Sequence, residues 1–467
     1  MKKIFFIFVL MVASFSLTAG EVIFFNGTFI EQAFGYPSTA KGEPVAAERK
    51  VSDKALRISL PPASWAGFVL AVPETDISGM RKNGTVDFWI KGNTGNEKNL
   101  SVMLIDSIED KEPFHTQVFL SDYLTMSKEW QYVIIPLADF LDDGFYWSME
   151  KNARVNGKMD WGKIQSLSFD ISPSETTETV IFVDGVKISE QGGTTKIVDK
   201  YAEFEKKYAY EGEYKSPIIK GNKNFKWPKK IKAAVSLTHD DAYQSCITNA
   251  LPLLEKYKLH GTFFMSGFNW YQPANIEGWK EVFEAGNEIG NHTTYHPCDR
   301  AMGFMQNGFA SQDYTLGRIA AEIESVSNEM GKYGFRPSRG YSFAYPCGQT
   351  TVGENKKSYI PVIEKNFIAA RTVEYGTADP KTVQLSQVPA YSGAEMTIEK
   401  MIGIIKEAED TGGWVVLYFH GIGADSMPVD IKKYEALLKY LADNKETIWT
   451  GTFGEVAEQI VKSRGKK

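Results

Sequence analysis

Ala233-Ala-Val-Ser-Leu-Thr-His-Asp-Asp241 is an apolar run that ends in a histidine and two adjacent carboxylates. Further apolar runs follow at Gly261 to Met265, Ser342 to Tyr345, Phe367 to Ala370, Trp414 to Phe419 and Ile448 to Thr450. Between them lie stretches with helical periodicity: Ser245 to Tyr257, Gly278 to Ala285, Leu316 to Met330, Thr397 to Glu409, Ile431 to Asp443 and Phe453 to Lys462. Such alternation predicts a mainly parallel sheet with helices outside it, either open or closed into a barrel. The polar residues favour the barrel. Asp240 and Asp241, His292 after Glu288-Ile-Gly290, Pro346 with Gly348, Arg371 and His420 each follow an apolar run. In β/α barrels, active residues collect at the C-terminal ends of strands.

Upstream of about residue 190 the pattern differs. Short alternating runs dominate: Val22 to Phe25, Leu56 to Leu60, Gly67 to Val72, Thr85 to Ile90, Leu100 to Ile105, Thr116 to Leu120, Trp130 to Ile135, Ser166 to Ile171 and Thr179 to Val183. Turn clusters such as Lys82-Asn-Gly84 separate them, which predicts an antiparallel β-sandwich. The expected organisation is a signal peptide over 1–20, a sandwich over 21–190, a Lys- and Tyr-rich linker over 191–229 that packs partly on one domain, and a catalytic domain over 230–467.

The start Met1-Lys-Lys, the apolar stretch Ile4 to Val12 and the small residues Ser16 to Gly20 read as a secretory signal. No stretch is long and apolar enough for a transmembrane helix. A secreted or periplasmic protein is the expectation. The net charge of −6 and the absence of a basic block beyond the Lys-rich tail give no support for nucleic-acid binding. Three cysteines (Cys246, Cys298, Cys347) exclude a disulfide scaffold and leave open one bridge, Cys298 to Cys347, or reduced buried thiols.

Four of the six histidines fall at these strand ends or just after: His239, His292, His296 and His420. Two histidines separated by three residues, with a carboxylate from elsewhere, form a facial ligand set for zinc or a similar divalent cation. A spare Asp and a spare His beside it supply a base and an acid, the equipment of metal-assisted hydrolysis. Each residue also has a plainer reading. His292 and His296 could be loop residues, His420 a core histidine, and Asp240-Asp241 a cap for the helix from Ser245. Cys298 is read as packing, and His115, His239 and His260 as structural.

Over Ile231 to Lys462 the motifs resemble the polysaccharide deacetylases, carbohydrate esterase family four. Thr238-His-Asp-Asp-Ala242 is similar to that family's Thr-Phe-Asp-Asp-Gly, His292-Thr-Thr-Tyr-His296 to its His-Ser/Thr-x-x-His, and Leu417-Tyr-Phe-His420 to its late Leu-x-x-His. The Gly261-Thr-Phe-Phe strand also resembles the family. The resemblance implies a distorted (β/α) barrel in which Asp241, His292 and His296 hold the metal. Asp240 would be the base, His420 the acid, and the backbone N–H of Cys347 an oxyanion donor. Tyr345 and Leu417 are the expected substrate-binding positions. The chain departs from the pattern at Ala344-Tyr-Pro-Cys347, where the family has Arg-x-Pro-Tyr. The arginine that would pair with the base is absent there. Arg371, in Arg371-Thr-Val-Glu-Tyr375, is the expected replacement, the alternative being a surface ion pair.

Trp130-Gln-Tyr-Val-Ile-Ile-Pro-Leu-Ala-Asp-Phe140 and Ile181-Phe-Val-Asp-Gly185 resemble jelly-roll carbohydrate-binding modules. Such modules often carry a structural calcium, for which Asp184 is the expected ligand. Tyr146 and Trp147 are the expected exposed aromatics.

Together these readings predict a two-domain protein: an all-β jelly roll followed by an α/β distorted barrel. The expected activity is that of a secreted, metal-dependent hydrolase, with zinc first and cobalt or nickel next, acting on acetylated polysaccharide. The bond is an N-acetyl amide of an amino sugar or an O-acetyl ester of a plant glycan such as xylan. The alternatives are a metal amidohydrolase acting on a small cyclic amide and a non-catalytic glycan-binding protein.

Overall fold

A computed structural model describes residues 21–62, 64–107, 113–148, 153–172, 177–197, 200–217, 221–267, 276–305 and 308–464. The signal peptide expected at 1–20 and the side chain of Trp147 lie outside the described residues. The chain divides into two compact units, broadly before and after residue 197.

The first unit is two antiparallel sheets. One runs in the order Lys41–Val45, Ala55–Leu60, Thr179–Ser189, Thr85–Gly92, Gln131–Pro136, with Glu21–Phe25 also paired to Thr179–Ser189. The other runs Ala153–Lys158, Asp143–Ser148, His115–Phe119, Leu100–Asp106, Ile164–Ile171, Ala66–Thr75, Ala33–Tyr36. Alternation places Val86, Phe88 and Ile90 of the first sheet and Leu167, Phe169 and Ile171 of the second in one core. Phe88 and Phe169 meet edge to face at 5.2 Å. Four strands escape the sequence reading: Ala33–Tyr36, Lys41–Val45, Asp143–Ser148 and Ala153–Lys158. Three of them end a sheet, and none carries the clean apolar alternation that a doubly covered strand needs.

Asp184 is employed differently from the calcium ligand expected. Its Oδ2 accepts the N–H groups of Lys50, Val51 and Ser52 at 2.7, 2.8 and 3.2 Å, and its Oδ1 accepts the Ser52 hydroxyl at 2.5 Å. The negative charge is spent on ordering the 50–52 loop. Tyr146 is half-buried against Phe114 at 5.4 Å, whereas Trp65 is exposed.

Residues 191–229 do not behave as one linker. Thr195 and Ile197 hydrogen-bond back to Ile134 and Asp122 of the first unit. From residue 200 the chain belongs to the second unit. The helix Ala202–Tyr208 packs on Leu316–Lys332, and Phe225 and Trp227 enter the core.

The second unit is a curled parallel sheet in the order Ala369–Arg371, Ser342–Ala344, Glu288–Asn291, Thr262–Met265, Ala233–Asp240, Trp414–Phe419, Tyr391–Ser392. Its ends meet through one short segment: Val388 pairs with Arg371, and Tyr391 pairs with Leu417. The central strand Ala233–Asp240 shares one edge between Thr262–Met265, beside residues 238–240, and Ile448–Thr450, beside residues 233–235. Period-two alternation then sorts the side chains. Val235, Leu237 and His239 face the helices, and Ala234, Ser236, Thr238 and Asp240 face inward. His239 confirms its side by contact. It stacks on Phe263 at 4.5 Å, its Nε2 lies 2.8 Å from the Tyr434 hydroxyl, and burial pushes its pKa down to about 4.

Trp414 is fully buried inside this curl, donating its indole N–H to Ser236 Oγ at 3.0 Å and packing on Phe453. Trp414→Ala is expected to lower unfolding free energy by about 3–5 kcal/mol in denaturant titrations. A change under ~1 kcal/mol would contradict the packed interior.

Candidate active site

The central strand ends at Asp240, which points into the curl and is almost fully buried. Its Oδ2 accepts a hydrogen bond from Arg371 Nη2. Its Oδ1 has no hydrogen-bond partner among the described residues. Burial alone would raise the Asp240 pKa, but the Arg371 guanidinium outweighs it and holds the carboxyl below its usual value.

Arg371 is itself fully buried, with its guanidinium 4.8 Å from the Tyr418 ring centroid. Its origin is a matter of register. Arg371 sits directly beside Ala344 on the neighbouring strand. A guanidinium missing at 344 therefore reaches the same carboxylate from one strand over.

Beyond Asp240 the backbone turns sharply, with Asp241 at φ 69° and Ala242 at φ 55°. This swings the Asp241 carboxylate towards the two imidazoles. Asp241 Oδ1 lies 3.7 Å from His292 Nε2 and 3.4 Å from His296 Nε2, and the two Nε2 atoms are 3.1 Å apart. One donor atom from each residue fits within a span of 4.8 Å. That compact set, one carboxylate oxygen and two imidazole nitrogens, suits a divalent cation with positions left open. His292 is prepared for it. Its Nδ1 lies 2.7 Å from the Ala344 carbonyl, which accepts a hydrogen bond from Nδ1–H and leaves the Nε2 lone pair free. Burial pushes the His292 pKa down to about 4 and keeps the ring neutral.

His420 Nε2 lies 3.8 Å from Asp241 Oδ2, so the expected acid shares the cluster. Cys347 follows Pro346 with φ 51° and is bonded through sulfur to Cys298, two residues past His296. The bridge left open by the sequence is formed in the structure. It ties the turn after the imidazoles to the turn that carries the Cys347 N–H. Cys246 is the free thiol, fully buried, and burial raises its pKa.

Two expected substrate contacts lie elsewhere. Tyr345 is fully buried, and its hydroxyl donates to Ser386 O at 3.0 Å. Leu417 packs in the layer between sheet and helices. Neither side chain faces the cluster. The inward neighbour on that strand is Tyr418, which shares a face with His420 and borders Arg371. Counting back by two from His420 would have selected it. Two further residues escaped the sequence reading, Asn291 and Glu322. Their side-chain oxygens accept backbone N–H groups of the turn between the imidazoles.

Two family models match the chain, one in each unit. Residues 34–190 match carbohydrate binding domain 30, and residues 228–358 match polysaccharide deacetylase. In sequence the chain thus resembles a carbohydrate binding domain 30 followed by a polysaccharide deacetylase domain. The deacetylase match includes Asp240, Asp241, His292, His296 and Cys347 and ends before Arg371 and His420. Among curated proteins, the chain is 29% identical over 135 residues to the uncharacterized protein YlxY of Bacillus subtilis, covering 28% of this chain and 34% of that one. It is 42% identical over 66 residues to the peptidoglycan-N-acetylmuramic acid deacetylase PdaC of Bacillus subtilis, covering 14% of this chain and 13% of that one. It is 40% identical over 63 residues to a peptidoglycan-N-acetylglucosamine deacetylase of Bacillus cereus, covering 13% of this chain and 29% of that one. The chain thus spans about a third or less of the length of these relatives. Among the described residues, no helix is long and apolar enough to cross a membrane.

The cysteine arrangement gives a direct check. Unfolded without reductant, the protein should take up one equivalent of an alkylating reagent, at Cys246, and three after reduction, by intact-mass spectrometry. Three equivalents before reduction would show the bridge to be absent.

Proposed function

We propose that this protein removes acetyl groups from a polysaccharide outside the cytoplasm, with Asp241, His292 and His296 holding a divalent cation. Zinc is the first choice, with cobalt and nickel next. One observation carries the reading: three candidate ligand atoms lie within 4.8 Å, beside a buried carboxylate that is ion-paired on one oxygen and, among the described residues, unpartnered on the other. When bound, the cation supplies Lewis acidity towards the acetyl carbonyl and lowers the pKa of a coordinated water to about 7.

The chain's own groups do the rest. Asp240 is the base. Arg371 keeps it ionised and fixes its plane, so that Oδ1 is left to take the water proton. The N–H of Cys347 donates to the oxygen on which negative charge develops, a contribution of roughly 3 kcal/mol for one such donor. His420 returns a proton to the departing sugar amine or hydroxyl. The N-acetyl group of an amino-sugar polymer is the substrate class placed first, because two similar proteins carry that bond type in their names. An O-acetyl ester is the second arm of the test. The N-terminal domain's match to a carbohydrate-binding family supports a polymeric substrate. A non-catalytic glycan-binding role is disfavoured by the convergence of base, acid and ligand set in one cluster.

Acetate release should be measured on N-acetylated glycan polymers and on acetylated xylan, before and after chelation and zinc restoration. Activity should disappear with the metal and return with it. Asp240→Asn should retain zinc and lose turnover by at least about a hundredfold. Full turnover in that variant, or activity indifferent to chelation, would refute the mechanism.

Arg371→Ala has a separate expected outcome. It leaves a buried carboxylate unpaired, which costs about 3–5 kcal/mol of unfolding free energy. In whatever fraction remains folded, kcat should fall while KM changes little. Unchanged stability and turnover would remove Arg371 from the site.

A further inference from the structure

The turn bearing both imidazoles is held in an unusual way. Every backbone N–H from Thr293 to His296 donates to a side-chain oxygen. Thr293 donates to Asn291 Oδ1 at 2.9 Å and His296 to Thr293 Oγ1 at 3.1 Å. Thr294 and Tyr295 both donate to one atom, Glu322 Oε1, at 2.8 and 2.9 Å. The turn also contains two left-handed non-glycine residues, Thr293 at φ 64° and His296 at φ 50°. Each such residue costs on the order of 1–3 kcal/mol and persists only where its surroundings over-determine it. For a β-branched residue such as Thr293 the conformation is rare.

The surroundings here are chiefly one helix, Leu316–Lys332, together with the Gly267 N–H, which donates to Thr294 O at 2.8 Å, and the Cys298–Cys347 bridge. Glu322 projects from the second turn of the helix. Asn291 is bound to the same helix, donating its Nδ2 to Ile323 O and to Ser327 Oγ, both at 2.9 Å. The second oxygen of Glu322 accepts the Tyr314 hydroxyl at 2.8 Å, and the Arg318 guanidinium lies 3.9 Å from that tyrosine ring centroid. A carboxylate is an acceptor only, and here it meets three donors.

The two ligating histidines differ in their dependence on this arrangement. His292 is pinned independently, through its N–H to Met265 O at 3.0 Å and through its Nδ1 against Ala344 O. His296 is placed mainly by the path of the turn, its Nδ1 meeting only the Cys298 Sγ at 3.4 Å among the contacts of the described residues on that side of the ring. We infer that Glu322 is the positioning residue for the proposed cation site, setting His296 against His292 through the N–H groups of Thr294 and Tyr295 without itself touching cation or substrate. The inference rests on the proposed assignment of His292 and His296 as ligands.

The test is zinc affinity, measured by competition with a chromogenic chelator on the full chain. Glu322→Asp and Glu322→Gln are compared with the parent, alongside thermal unfolding and turnover at saturating zinc. Aspartate keeps the charge but withdraws the oxygen by about one carbon–carbon bond, ~1.5 Å. Glutamine keeps an acceptor oxygen at the original reach and gives up the charge. Positioning therefore predicts that Glu322→Asp weakens zinc about ten- to a hundredfold, while Glu322→Gln stays within about threefold of the parent. A role through charge predicts the reverse order. A purely structural role predicts lower thermal stability with zinc affinity intact. Either result would overturn the inference. Asp241→Ala, measured beside them, separates the two claims. If it loses zinc and Glu322→Asp does not, only the Glu322 inference falls. If Asp241→Ala binds zinc as the parent does, the cation site is refuted and the inference falls with it.

Discussion

A buried carboxylate shared between a guanidinium and an open cluster is the constraint around which the second unit is arranged. Asp240 is inside the curl, where an isolated charge is strongly disfavoured. Arg371 resolves this by pairing with one oxygen, and its own burial is tolerated for the same reason. The pairing demands that the strand bearing Arg371 and the strand bearing Asp240 come together across the interior. That requires a curled sheet rather than a flat one. The segment 388–392 serves this closure, pairing with Arg371 at one end and with Leu417 at the other.

The second feature of the site is concentrated backbone strain. Asp241, Ala242, Thr293, His296 and Cys347 all have positive φ, and none is glycine. Each lies where the chain leaves a strand or turns to aim a polar group. Such conformations are stable only when other contacts enforce them. The enforcing contacts are visible: Asp425 Oδ2 accepting the Ser245 N–H just beyond Ala242, the side-chain oxygens around residues 293–296, and the disulfide at Cys347. The residues proposed as ligands and donor are thereby held in place by the fold itself, the arrangement that electrostatic catalysis needs.

Much of this was readable in the residue pattern, and the failures are instructive. The strands and helices of the second unit lie close to their expected places, because buried parallel strands and amphipathic helices leave strong periodic signals. The closing strand Tyr391–Ser392 left none, being only two residues long. Leu417 and Tyr345 were placed on the substrate side by motif position, yet alternation assigns Leu417 to the helix-facing layer and burial encloses Tyr345. Asp184 is expected as a cation ligand only through the resemblance to modules that carry a structural calcium. The structure shows a carboxylate consumed by three backbone N–H groups.

By itself the sequence determined the two-unit plan, the parallel order of the second half, and the residue types able to bind a cation and move protons. These follow from local periodicity and from short spacings such as His292-x-x-x-His296, which survive as pattern in a linear chain. Only the tertiary structure decided that Arg371 meets Asp240, that Cys298 pairs with Cys347, and that Glu322 supports the imidazole turn. Those partners are separated by 131, 49 and 28 positions in the chain. Contacts of that kind depend on strand register and on how the sheet curls, and neither is written in any local stretch of residues.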